Sequence, residues 1–157
     1  MIEELAGKAW LGLTRNVAFT APAAEDERLR GRTYAIPFED VWQASLQLVG
    51  SGLKRWELLE YDDREGIIRG LARGRIQRFT SAVTIRISLD PDAQTRVDAL
   101  SASRVGRMDL GMNARRLNRF FRALDAAMVD ARRRRWADED REGASDPEPT
   151  LHRTGAA

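Results

Sequence analysis

The chain has 157 residues, is 43% hydrophobic and carries a formal net charge of +2, enough for one ordinary domain with a real core and tails. It has no cysteine, which excludes disulfides, thiol nucleophiles and thiolate metal sites. Its single histidine, His152, lies in a polar C-terminal stretch, which, unless that stretch folds back, removes Ser-His and Cys-His catalysis and any multi-histidine metal site.

No apolar run approaches the roughly 20 residues of a membrane-spanning helix, which argues against integral insertion. The Met1-Ile2-Glu3-Glu4 opening is acidic where a signal peptide is basic, so a cytoplasmic protein is expected, with no metal and no cofactor. The 26 basic residues are all arginine except Lys8 and Lys54, a skew that reflects coding composition more than a selected chemistry. With so small a net charge, a polyanion partner is only weakly indicated.

In chain order, residues 1–32 read as an N-terminal arm and linker. Glu3 to Leu13 can form a short helix with Leu5, Trp10 and Leu13 as its apolar positions, a segment also suited to a partner or a membrane surface through Trp10. The Ala21-Pro22-Ala23-Ala24 stretch and the acids after it read as exposed linker. The domain proper is expected over 33–136. Thr33 to Ile36 predicts a short strand, and Pro37 suits the first position of a helix. Phe38, Val41, Trp42, Ser45 and Val49 line one face of that helix, which Gly50 and Gly52 end.

Four strands follow. Trp56 to Tyr61 is strand-like, Asp62 to Gly66 is a hairpin turn, and Ile67 to Ile76 is the next strand. From Ala82 to Leu89, Val83, Ile85, Ile87 and Leu89 face one way and Thr84, Arg86 and Ser88 the other. Asp90 to Gln94 turns the chain. Thr95 to Ser103 then alternates Val97, Ala99 and Ser101 against Arg96, Asp98 and Leu100. Such alternation means one buried and one solvated face, the mark of an antiparallel sheet.

The long helix comes last. Leu117, Phe120, Phe121, Leu124 and Met128 fall at the 3-4-3-4 spacing of one buried stripe, with Arg115, Arg119, Arg122 and Arg133 away from it. Asp109 suits an N-cap, Gly106 and Gly111 mark a sharp turn, and four arginines place the helix end within Arg132 to Trp136. Ala137 to Ala157, charged and poor in apolar groups, is expected to be disordered. The fold class is α+β: a two-layer arrangement of about four to five antiparallel strands, covered on one face by a short helix and a long C-terminal helix.

The stretch Val97-Asp98, Ser101, Ser103-Arg104, Gly106, Asp109-Leu110-Gly111, Asn113 and Arg116 resembles domain-of-unknown-function family 1499, a mostly bacterial family with plant plastid members. The family's signature runs Val-Asp-x-Arg-Ser-x-Ser-Arg-x-Gly-x-x-Asp-Leu-Gly-x-Asn-x-x-Arg. The match covers about a fifth of the chain, in one register of polar and glycine positions. Leu100 stands where the family tends to have arginine, and Ser81-Ala82 where an acidic pair is usual. The family's N-terminal Cys-Pro segment is absent. The resemblance therefore implies a divergent member, and it implies no activity, because the family has no settled one.

Two groups of residues are candidate sites. Ser101, Ser103, Arg104, Asp109, Asn113 and Arg116 could hold a phosphate or carboxylate through the two guanidiniums and the free amides of a helix start. The same residues also suffice for a turn, a helix cap and an ion pair. On the strand after the hairpin, Ile68, Gly70, Ala72 and Gly74 share a nearly bare face. With Trp42, Phe120 and Phe121 opposite, that face either lines a ligand cavity or is filled by the rings.

The Arg132-Arg133-Arg134-Arg135-Trp136 run suggests a nucleic-acid or anionic-membrane contact. Asp138, Glu139, Asp140 and Glu142 cancel its field within a Debye length of about 8 Å, so a solvated helix end is expected instead. An enzyme would need a carboxylate pair such as Asp62/Asp63 or Asp90/Asp92. Both pairs fall in exposed turns, where burial does not tune a pKa. The expected function is a non-catalytic binding or protein-interaction domain. The alternatives are a carrier of a small apolar or anionic ligand in the helix–sheet gap and, behind it, a carboxylate-dependent enzyme.

Overall fold

The computed structural model of the chain describes residues 17–20, 30–74, 80–103 and 111–143. Their elements are β1 (Val17–Phe19), β2 (Arg32–Tyr34), α1 (Phe38–Gln47) with a π turn at Leu48–Gly52, β3 (Trp56–Asp62), β4 (Ile67–Arg73), β5 (Thr80–Leu89), β6 (Thr95–Ser103) and α2 (Met112–Gly143). All strand pairs are antiparallel, in the order β1-β6-β5-β4-β3, with β2 also on β6. The expected α+β sheet with a short and a long helix is what forms.

Alternation explains the layers. Val83, Ile85 and Ile87 of β5, Val97 and Ala99 of β6, and Ile68 and Ala72 of β4 are buried on one face. Their cover is Val41, Trp42 and Val49 from α1 and its π turn, and Leu117, Phe120, Phe121, Leu124 and Met128 from α2, all of them buried. Burying each of the two phenylalanines contributes on the order of 1.5–3 kcal/mol. Phe120 stacks on Trp56 at 6.1 Å between centroids and meets Phe121 edge-on at 5.3 Å. Arg115, Arg119 and Arg122 point to solvent, as their phase on the helix requires.

Several boundaries differ from those read in the sequence. Residues 17–19 are not arm: they add a strand along Leu100–Ala102, too short to show a period of its own. The sheet therefore begins before residue 33. Pro37 is extended (φ −53°, ψ 145°) and precedes α1 rather than opening it. The last α-helical residue is Gln47, and the glycines sit in the wider π turn, closed by Leu53 N–H donating to Leu48 O at 2.9 Å. Leu89 shares the parity of Ile87 yet is 59% exposed: it pairs with Thr95 of β6, but β4 begins at Ile67, opposite Arg86, and leaves its other side without a neighbour strand.

The largest departure is at the end of α2. The helix passes the expected stop at Arg132–Trp136 and runs to Gly143, taking Ala137–Gly143 out of the expected disordered tail; residues 144–157 lie outside the described residues. The cause is propensity: from Ala131 to Arg141 there is no glycine or proline, and alanine, arginine and glutamate are good helix formers. Cations near a C-terminus favour an end, but do not impose one. No helix among the described residues is long and apolar enough to cross a membrane.

Candidate functional site

The polar cluster forms where the start of α2 crosses the ends of β5 and β6. Ser81, Ser101 and Ser103 continue the inward parity of their strands, and Ser81 pairs with Ser103 in register. Asn113 and Arg116, three apart on the helix, project from the same face. The Ser101 hydroxyl donates to Asn113 Oδ1 at 2.7 Å, and Asn113 Nδ2 donates to Ser103 Oγ at 2.9 Å. Arg116 Nη1 donates to Ser81 Oγ at 2.6 Å and to Asn113 Oδ1 at 3.1 Å. Ser81, Ser101 and Asn113 are fully buried, and Arg116 is 9% exposed. In such surroundings every polar atom left unbonded would be costly, so the network fixes how the helix start sits on the sheet.

Four of the six residues read as an anion site are thus brought together: Ser101, Ser103, Asn113 and Arg116. Arg104 and Asp109 lie outside the described residues. The position directly before the helix belongs to Gly111, whose carbonyl accepts the Arg115 amide at 3.1 Å. Its φ of +72° is one that only glycine adopts freely. Ser81, which the sequence marks only as a departure from the family's acidic pair, belongs to the cluster; its even spacing from Val83, Ile85 and Ile87 is the signal that places it inside.

Chemically the described part of the cluster joins donors and acceptors and holds no base. An amide and a guanidinium cannot take a serine proton at neutral pH, so none of the three hydroxyls is activated by its described neighbours. No group of three or more His, Asp or Glu able to hold a metal occurs among the described residues.

The six residues read as cavity-lining do not enclose one gap. Trp42 stacks on Phe38 at 5.9 Å and meets Tyr61 edge-on at 6.3 Å, while Phe120 and Phe121 are packed as above. Over Gly70 stands Val49: a Cβ there would lie 2.8 Å from both Val49 Cγ1 and Glu57 O. Ala72 is buried in the same layer, and Gly74 lies beyond the end of β4. The bare strand face thus lets the π turn pack close.

Other motif residues serve attachment. Arg96 donates to Asp98 twice, at 2.7 and 2.9 Å, and these bonds raise the Arg96 pKa further. Thr20 Oγ1 also donates to Asp98, at 2.9 Å, and accepts the Ala99 amide at 3.0 Å, so this aspartate ties the segment after β1 to β6. The Tyr34 hydroxyl donates to Asp125 at 2.7 Å and fastens α2 to β2. Burial first, and then the Asp125 carboxylate, push the tyrosine pKa well above its ordinary value.

Beyond Ala131 the character of α2 changes. Every side chain from Arg132 to Arg141 is exposed, Trp136 at 60%, and Val129 just before them is 51% exposed. Arg135 reaches Asp40 at 3.7 Å and Arg141 reaches Asp138 at 3.7 Å. Arg132, Arg133, Glu139 and Asp140 form no ion pair among the described residues. A groove of about 470 Å³ lies between this overhang and Ile36, Pro37 and Ala93.

No curated protein matches the chain. A family model described as "Protein of unknown function (DUF1499)" matches residues 8–124, well over half of the chain, with all of the described sheet and α2 as far as Leu124. The chain belongs to the DUF1499 family.

Proposed function

We propose that this chain is a non-catalytic protein-interaction domain, and that the exposed end of α2, Arg132–Arg141, is its contact element. The observation that carries the reading is that the helix continues about three turns past the last core residue with Trp136 in solvent. An unpacked helix of this length is marginal in water, and a large exposed aromatic is the residue type that anchors interfaces. Val129 and Trp136, seven apart, share one face. The polar cluster supports the same reading from the other side, since its hydroxyls, amide and guanidinium bond to one another.

The test is site-specific photo-crosslinking in cells producing the full chain. A photoreactive residue at position 136 is expected to give discrete covalent adducts, whereas one at Arg64, in the exposed β3–β4 turn, gives none. Equal adduct patterns at both positions, or none at either, would overturn the reading.

A further inference from the structure

We infer that the partner of the exposed end of α2 is a second copy of this chain, bound antiparallel, helix to helix, across a two-fold axis at Trp136. The inference rests on the interaction reading above and names the partner of the same surface. Val129, Arg132, Arg133, Trp136, Glu139 and Asp140 follow one another at the 3-and-4 spacing that puts them on a single face of α2, with the apolar pair in the middle of the stripe and charges on its flanks. All six are exposed.

The charges along the stripe are antisymmetric about Trp136: arginines precede it at 132 and 133, and acids follow it at 139 and 140. A parallel copy would set arginine against arginine and acid against acid. An antiparallel copy sets Trp136 beside Trp136, Arg132 beside Glu139 of the second copy, and Arg133 beside its Asp140. By symmetry each pair occurs twice. This is the isologous geometry of a two-fold dimer, with flanking charges choosing the orientation.

The four charged residues form no ion pair among the described residues, and Arg135 is held by Asp40; Arg132, Trp136 and Glu139 border the open groove beside Ile36 and Pro37, so the second helix lies along the mouth of that groove. The overhang from Arg132 to Gly143 spans roughly 18 Å at 1.5 Å per residue. Two such helices bury less than the roughly 1,200 Å² of a standard interface, so the dimer is weak and concentration-dependent.

Sedimentation equilibrium of the full chain tests this. Over roughly 5 to 500 μM at physiological ionic strength, the range of a small interface, the average mass should rise from the 17.7 kDa of one chain toward twice that value. The Arg132→Glu/Arg133→Glu variant and the Glu139→Arg/Asp140→Arg variant should each stay at the single-chain mass, because every flanking pair is then like-charged. An equimolar mixture of the two should recover the heavier species, since both pairs become opposite again. Circular dichroism should show both variants folded, as all four positions are exposed.

A wild-type chain that stays at the single-chain mass throughout, or a mixture no heavier than its separate components, would overturn the inference. Adducts from position 136 to a different protein, with a monomeric wild-type chain, would sink the self-association and leave the interaction reading standing. The absence of adducts would remove both.

Discussion

Up to Ala131, helix α2 sets Leu117, Phe120, Phe121, Leu124 and Met128 against the sheet; from Arg132 to Arg141 the same helix exposes every side chain. Both stretches are continuous backbone helix, so the difference lies only in what the side chains meet. In the first, the 3-4 apolar stripe supplies the packing that makes a helix stable in a protein. In the second, local propensity alone extends the helix, and a single tryptophan among charges replaces the stripe. A helix can therefore be half architecture and half surface, with the boundary set by where the periodicity stops.

The sharpest way to break this comparison is to truncate one aromatic in each half. Phe120→Ala should cost on the order of 3–5 kcal/mol in urea unfolding, the usual range for a buried aromatic, whereas Trp136→Ala should stay within about 0.5 kcal/mol at dilute concentration. Comparable losses at the two positions would erase the distinction.

A smaller effect is expected at the head of the helix. Asn113→Ala removes the amide that Ser101, Ser103 and Arg116 all bond to, a loss of about 1–3 kcal/mol by urea unfolding. A neutral outcome there would mean that water or neighbouring groups replace the amide.

Much of this division was legible beforehand. The strict alternation from Val83 to Ile87 announced the sheet, and the spacing from Leu117 to Met128 announced the buried stripe, because periodic burial leaves a periodic sequence. The motif positions Ser101, Ser103, Asn113 and Arg116 form one group in the sequence, and they meet in the fold. What escaped was set by long-range contact: β1 is too short to show a period, and Leu89 is exposed only because β4 stops short of it. The overrun of α2 escaped for another reason, since clustered arginines suit a helix end without enforcing one. Gly70 was ambiguous in principle, as a bare strand face serves a cavity and a close-packed Val49 equally well.

The attachment of α2 to β2 has a pH signature. Folded Tyr34 holds its proton above the ordinary tyrosine pKa, while the unfolded chain releases it near pH 10. Its contribution is therefore complete below about pH 10 and is lost as pH rises above that value, when ionisation favours the unfolded state. Melting curves from pH 8 to 11 should fall more steeply for the wild type than for Tyr34→Phe; parallel slopes would mean that the hydroxyl is solvated.

The smallest effect is expected in α1, where the buried Ser45 hydroxyl has no hydrogen-bond partner among the described residues. Ser45→Ala should be neutral or stabilising by up to about 1 kcal/mol in thermal melts, because an unbonded buried hydroxyl favours unfolding. A clear loss of stability would reveal a bond to that oxygen.

The division of α2 is tested most directly by the thermal unfolding of a chain ending at Ala131, measured beside the full chain at low micromolar concentration. Among the described residues, removing everything from Arg132 onward takes away the Arg135–Asp40 contact, an exposed pair of little worth, and no core residue. The melting temperature should stay within about 2 °C of the full chain's, a shift that corresponds to at most about 1 kcal/mol for a domain of this size. A fall of more than about 5 °C would show that the distal helix helps hold the fold, and would contradict its assignment as a contact surface.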